Sequence, residues 1–481
     1  MTARLREGFT TGSAATGAAL AALHLLRAGC APGHVDVPLP PFSSGSSASS
    51  GPRDAAAAVA ADAATDAAIP DAVSDAVSDA ASDAATDAAI PDAAPDAVSG
   101  AANDATPEHA DIPTPRGWLR LEVAVCGHGP APELAACPEF APLFVEGGCA
   151  QSIGAEGRNG GLRVAHASIR KDGGDDPDAT SGALITVTVV ENFAMTGQTG
   201  VTAAAATGTD AANSPAVSIE GGPGVGRVTL PGLPVPVGEA AVNPTPRQQI
   251  AFAMRHGARV FGTGPCPPLR VIVSVPEGER LARQTFNPRL GIVGGISILG
   301  TQGTVRPYSH QAWKATIEQG LAVAVATGCR DMGLTTGRRS ERLLMDKYPQ
   351  MPQRSFIQVA DFAAFSLKAA GAMPFDNLIW GCFFGKLVKL AQGHAYTHAR
   401  HAELDMEELA RLCRQCGASC ADQVGHCVTA AHALELLLQD KAGNDVIALT
   451  GEKAAAVAAN FAGRHVRLHL FHTDGRELLA L

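Results

Sequence analysis

No stretch of this 481-residue chain approaches the roughly 20 uninterrupted apolar residues of a membrane-spanning helix. The apolar run at 14–26 lacks a basic leader and a cleavage site and ends at Gly29, so a secretory signal is not expected and a cytoplasmic location is. There is no Ser-His-Asp or Cys-His signature of a nucleophilic hydrolase. No strand-like segment leads into GxGxxG with a later acidic residue, which weakens a nucleotide-dependent oxidoreductase. The eleven cysteines are scattered, as expected of reduced cytosolic thiols. Cys413, Cys416, Cys420, His426 and Cys427 could be drawn as a zinc site, but they form no clean CxxC pair, and the segment reads as two helices around Gly417 in which cysteine is a small buried residue. No protein-bound metal is expected.

What charge the chain has is unevenly placed. Residues 41–115 hold 13 acidic groups against one basic, whereas the remainder has 36 basic against 34 acidic. The acidic overall balance therefore says little about the globular part, and nothing points to nucleic acid. TDAAIPDA occurs at 65–72 and again at 86–93, with Asp recurring about every fourth residue between. Like charges at i,i+4 disfavour a helix by about 0.2–0.5 kcal/mol per pair, no apolar stripe exists to bury, and Pro70, Pro91 and Pro95 interrupt the run. Residues 41–115 read as a disordered insertion, and the Ala/Thr/Gly-rich 197–218 as a second loop.

The remaining sequence reads as two units. Residues 1–40 and 116–265 begin with a helix at 13–28 and continue with strands at 34–38, 118–125, 162–169, 183–190 and 226–229, an α+β pattern. Residues 266–481 alternate: strands at 269–275, 331–335, 355–359 and 377–380, helices at 309–326, 339–348, 361–370 and 386–392. This predicts an α/β unit with a largely parallel sheet, closed by helices over 406–462 and a hairpin at 465–479. Ligands gather at strand carboxyl ends in such sheets, where the turns at Thr335 and Gly381 and the glycine-rich run 283–307 are expected to fall.

That run, RQTFNPRLGIVGGISILGTQGTVRP, places Gly291, Gly294, Gly295, Gly300 and Gly303 in an apolar segment. Glycine inside regular structure costs roughly 0.5–1 kcal/mol relative to Ala, so its repeated use implies a compensating need, usually close approach of a ligand to the main chain. Together with LREGFTTGSAATGAALAAL at 5–23, IRKDGGDDPDATSGALI at 169–185, GVGRVTLPGLPVPVGEAAVNPTPRQQI at 224–250 and FFGKLVKLAQGHAYTHARH at 383–401, it resembles the cobalt-precorrin-5B C(1)-methyltransferase (CbiD) family. The five segments stand in the family's order. The resemblance implies an enzyme of anaerobic cobalamin synthesis that moves a methyl group from S-adenosylmethionine to ring carbon C1 of a cobalt corrinoid precursor, giving cobalt-precorrin-6A. Cobalt would enter only inside the substrate. A non-catalytic corrinoid or tetrapyrrole carrier is the alternative of another class, and homo-oligomerisation is left open.

A sulfonium donor needs no protein nucleophile; it needs its methyl held in line with the attacking carbon at about 3–3.5 Å. A macrocycle fringed by carboxylates asks for cations and backbone donors around a broad apolar cleft. Thr10 and Thr11 at one helix start, and Arg338 and Arg339 at another, suit anions, with ordinary capping as the alternative. Lys171, Asp172, Asp175, Asp176 and Asp178 crowd four carboxylates into seven residues around a glycine turn. Crowding raises at least one pKa, which suits a general base or a clamp on a cationic ligand, and Asp172, Asp175 and Asp176 are the catalytic candidates. The EF-hand glycine and terminal Glu are missing. Asn243 with Arg247, and Asn287 with Arg289, follow rigid prolines or frame them, and are expected to grip substrate carboxylates; structural ion pairs are the alternative. Lys386 and His398 complete the substrate set, while Gly291, Gly294, Gly295, Gly381 and Gly385 are the candidates for donor binding.

Overall fold

The computed structural model describes residues 5–42, 115–140, 163–191, 216–262 and 268–481. Most of the insertion expected at 41–115 and of the loop at 197–218 lies outside them, although Pro41, Phe42, Pro115, Val217 and Ser218 belong to strands.

A short strand β1 (Gly8–Phe9) leads into the helix Thr11–Ala28. The Thr10 hydroxyl accepts from Ser13 N at 3.1 Å, and Gly29, at φ 77°, donates to Leu25 O to end the helix. Nearly every residue of this helix is buried, which its Ala and Gly content permits: a Cβ on Gly17 would sit 2.5 Å from Ile169. It packs on strands β2 (His34–Phe42), β5 (Arg163–Arg170) and β6 (Leu184–Glu191), and on the helix Pro244–Val260. β2 pairs with β3 (Pro115–Glu122), and β4 (Val125–His128) edges a five-stranded sheet in the order β4-β5-β6-β10-β7, where β7 is Val217–Gly221 and β10 is Leu269–Ser274. β10 runs antiparallel to β6 and parallel to β7. The strand expected to open the second unit is thus interior to the first sheet, and Leu269, Val271 and Val273 enter the first core. An apolar, β-branched run made it a strand; pairing partners that lie distant in sequence decided which sheet it joined.

The pairing Phe42↔Pro115 brings the two ends of the 43–114 segment together across β2–β3. Replacing 43–114 by a short hairpin turn is therefore expected to leave both the melting temperature and turnover nearly unchanged; a large loss of activity with the fold retained would count against an inert insertion.

The glycine-rich run also joins the first core. β11 (Ile292–Val293) pairs with β9 (Arg227–Val228), β12 (Gly295–Ile296) with β8 (Gly224–Val225), and β13 (Thr304–Val305) with β1. It does not lie at the carboxyl ends of the parallel sheet. Its glycines answer to chain meeting chain: a Cβ on Gly295 would stand 2.0 Å from Gly224 O, and one on Gly291, at φ 71°, 2.3 Å from Leu230.

The second sheet has the order β15-β14-β16-β17-β18, with β14 (Asp331–Thr335), β15 (Phe356–Gln358), β16 (Asn377–Phe383) and β17 (Val466–Phe471) parallel and β18 (Glu477–Ala480) antiparallel. Alternation along β16 sends Leu378, Trp380 and Cys382 into the large core with the helices Ala363–Gly371, Phe384–Ala391 and Gly443–Ala462. Ile379 meets Leu344 of the helix Arg338–Lys347 on the other face. Both faces are covered, as a parallel sheet requires. The expected α+β and α/β classes are what the chain adopts.

Candidate active site

Between the glycine-rich run and the helix His310–Ala326 lies a cavity of about 220 Å³. Its walls are mainly apolar, from Val228, Val235, Leu290, Ile292 and Leu299, and a few polar groups converge on it: Thr10, Thr11, Lys171, Asp178, Asn243 and Asn287. An apolar hollow with few, fixed polar groups is the usual form of a small-molecule site. Six of the residues singled out in the sequence therefore share one hollow, although they come from four separate segments.

Their roles differ. Thr10 caps its helix, and the Thr11 hydroxyl accepts from Leu299 N at 2.9 Å, so both shape the wall as well as line it. Asn287 is buried; its amide donates to Gly295 O at 3.2 Å. Asn243 occupies an N-cap position yet makes no side-chain cap bond, and its amide has no partner among the described residues. An N-cap Asn ordinarily satisfies a backbone N–H. This one is left available to a ligand.

Lys171 is only 2% exposed and pairs with Asp178. Asp178 also accepts from Thr180 N and Thr180 Oγ1, each at 2.7 Å. Burial pushes the Asp178 carboxyl up, but Lys171 and the Thr180 donors outweigh it and hold the group below its ordinary value. The other carboxylates of the cluster are drawn apart. Arg6 holds Asp172 through its guanidinium, lowering that carboxyl, and holds Asp175 through its backbone N–H. Asp176 accepts from Tyr308 N at 2.9 Å, and burial raises it. Tyr308 itself has φ 56°, a conformation uncommon for a bulky residue, at the junction between the two cores. Asp178, of the four, borders the cavity.

The arginines lie elsewhere. Arg247 donates to the carbonyls of Val242 and Ile219 at 2.8 and 3.0 Å and lines neither hollow. These bonds, with an ion pair to Glu239, brace the 239–242 turn against β7. Arg289 forks onto buried Glu341, which also accepts from Gln358 at 2.8 Å. It lines a second hollow of about 40 Å³ that shares Phe286, Leu290 and Thr316 with the cavity. Arg338 and Arg339 are exposed at the start of their helix, Arg339 donating to Thr473 O at 2.6 Å. Of Arg247, Arg289, Arg338 and Asp175, Arg289 borders the smaller hollow and the other three border neither of the two.

Lys386 and His398 belong to a separate cluster past the ends of β15 and β16. Buried Asp361 accepts from Lys386 and from Thr397 Oγ1 at 3.0 Å, and Lys389 donates to Thr397 O at 3.0 Å. His398 stacks on Tyr396; burial lowers its pKa, with Asp361 opposing. Gly381 and Gly385 face Leu344 and Ala430, and Gly294, at φ 84°, is exposed with open space around it. Among the described residues no three His, Cys, Asp or Glu side chains are grouped to hold a metal. Burial pushes the Cys413 thiol up to about 12. No described helix is long and apolar enough to cross a membrane.

Thr180, Thr316, Gln319 and Arg354 were not singled out in the sequence. Thr180 stands in the 169–185 segment as an ordinary hydroxyl beside the carboxylates, the other three lie in segments with no motif, and position in space brings all four to the two hollows.

The family model CbiD matches residues 152–307, and the model CbiD, C-terminal domain, matches 396–480. A cobalt-precorrin-5B C(1)-methyltransferase of Nitratidesulfovibrio vulgaris is 53% identical over 318 residues, which cover 64% of this chain and 76% of that protein. One from Geobacillus thermodenitrificans is 48% identical over 258 residues, covering 54% and 63%. A crystal structure of the cobalamin biosynthesis protein cbiD from Archaeoglobus fulgidus aligns over 79% of this chain and 78% of that one at 19% identity, with a TM-score of 0.30, too low to carry an argument. By the matched models and by identity over most of a relative's length, this chain belongs to the CbiD family of cobalt-precorrin-5B C(1)-methyltransferases.

Proposed function

We propose that this chain transfers a methyl group from S-adenosylmethionine to C1 of cobalt-precorrin-5B, giving cobalt-precorrin-6A, in the cytoplasm. It is a C-methyltransferase of cobalamin biosynthesis, and the carrier reading is not favoured. The observation that carries the reading of the site is the meeting of Thr10, Lys171, Asn243 and Asn287, from four family-like segments, in one cavity. That cavity, at about 220 Å³, is below the range of pockets that enclose drug-sized ligands. It therefore takes only part of the methyl donor, its sulfonium and amino-acid end in our assignment, and we place the macrocycle across its mouth, where Leu299 (49% exposed) and Trp313 (39% exposed) offer apolar surface to a flat ring.

The donor supplies an electrophilic methyl. The chain's own contribution is to orient and to exclude water. The Lys171–Asp178 pair offers both charges to a zwitterionic amino-acid tail, and Asn243 offers a free amide. Of the three candidate catalytic carboxylates, Asp176 is the one whose pKa burial raises, the direction a proton acceptor needs, while Asp172 and Asp175 are tied to Arg6. We keep Lys386, His398, Arg338 and Arg339 as outer contacts for macrocycle carboxylates, on chemistry alone. The two cores are taken as two domains meeting near Tyr308.

Incubation with cobalt-precorrin-5B and methyl-labelled donor, followed by location of the label, tests the reading; label at any carbon other than C1, or none, would overturn it. Saturable donor uptake in equilibrium dialysis separates an enzyme from a carrier. Asn243→Ala is expected to raise a substrate KM about tenfold, the scale of one lost hydrogen bond, with little change in stability.

A further inference from the structure

Two guanidinium groups, of Arg289 and Arg354, line the small hollow beside the cavity. Arg289 is neutralised by Glu341, whose second oxygen also receives Gln358. Arg354 is not neutralised. Its Nε donates to Thr327 Oγ1 at 3.0 Å, and that hydroxyl donates in turn to Val323 O at 2.7 Å, which fixes the guanidinium plane. Its two terminal nitrogens have no hydrogen-bond or ion partner among the described residues, and the side chain is half-buried where the short helix Gln353–Ser355 turns into β15. An oriented guanidinium fork with one edge held and the other open matches a carboxylate with two parallel hydrogen bonds.

Size limits the guest. At about 40 Å³ against about 220 Å³ for the cavity, the hollow suits a peripheral group of a ligand better than its body. Phe286, Leu290 and Thr316 line both this hollow and the larger cavity, so a group seated here belongs to a molecule that also reaches the site of methyl transfer.

We infer that Arg354 is a carboxylate-binding residue of the active site, holding one carboxylate of a substrate in the hollow beside the cavity. This rests on the methyltransferase reading. Two sources share the chemistry: the amino-acid end of the methyl donor and a peripheral carboxylate of the macrocycle.

The test is steady-state kinetics of the full chain with each substrate varied in turn, together with calorimetric titration of S-adenosylmethionine and of the corrinoid separately. Arg354→Gln is expected to raise the KM and the Kd of one substrate by tenfold or more, the scale of a charge-assisted pair, with kcat near wild type. The affected substrate identifies the source. Arg354→Lys keeps the charge but not the fork and should recover part of the loss, while Thr327→Val, which releases the guanidinium plane but keeps the fork, should cost less than Arg354→Gln. Unchanged KM and Kd for both substrates in Arg354→Gln, or a fall in kcat alone, would overturn the inference with the methyltransferase reading intact. A wild-type protein that binds both ligands without turnover would instead count against that reading, and the Kd comparison would still decide the role of Arg354. Absence of binding of either ligand to wild type would overturn both.

Discussion

Asp178→Ala is expected to destabilise the protein by about 3–5 kcal/mol, because it strands the Lys171 ammonium, 2% exposed, without its counter-charge. Denaturant unfolding measures this directly. The paired replacement Lys171→Met with Asp178→Leu removes both charges and should recover most of the stability, since a buried pair contributes little net against apolar residues of similar size. Activity should not return with it if the pair meets a ligand. The pH dependence has a definite sign. The Asp178 carboxyl is lowered in the folded protein, so its contribution is complete above the unfolded value near 3.9 and is lost as pH falls through the lower folded value. Asp176 is raised by burial and acts in the opposite sense: it opposes folding while ionised, and that penalty disappears as pH falls and the group protonates. An acid-unfolding curve that moves toward neutrality in Asp178→Ala, yet is unaffected by Asp176→Asn, would contradict this assignment.

Arg289→Ala is expected to lower kcat roughly 10²-fold and to destabilise by about 3–5 kcal/mol. Arg289 follows the 286–288 turn, whose Phe286 and Asn287 line the cavity, and its partner Glu341 lies on a helix of the parallel-sheet core. The pair therefore sets one core against the other across the cavity wall. Glu341 is 4% exposed and Arg289 24%, so removing the arginine leaves the more deeply buried charge unpaired. Glu341→Gln, which leaves the partly solvated arginine instead, should be the milder change in both unfolding and turnover. Equal losses in the two variants would show that the pair is ordinary surface chemistry.

Much of the architecture was legible because it is local. Thr10 and Gly29 bracket the first helix by capping rules, and β14, β15 and β16 follow from apolar runs between turn residues, within a residue or three of their expected ends. The allocation of Leu269–Ser274 was not legible, since an apolar strand carries no mark of which sheet it joins. The glycines of 291–295 were legible as necessary but not as to why: a ligand and a neighbouring backbone both exclude a Cβ, and here Leu230 and Gly224 do so. Arg247 and Arg289 were legible as cations placed by prolines, whereas their acceptors, the carbonyls of Val242 and Ile219 and the carboxylate of Glu341, were not.

By its sequence alone this protein determined its helices, its strands, the family its segments match, and the residue types its site can draw on, because spacing, capping and hydrophobic period act between neighbours. Tertiary structure decided which of those side chains remain free to meet a ligand. Thr11 is latched to Leu299, 288 residues away, and Arg289 to Glu341, 52 away, while Asn243 and the open edge of Arg354 have no such partner. Whether a polar group is available depends on what the fold sets against it, and no local stretch of sequence carries that information.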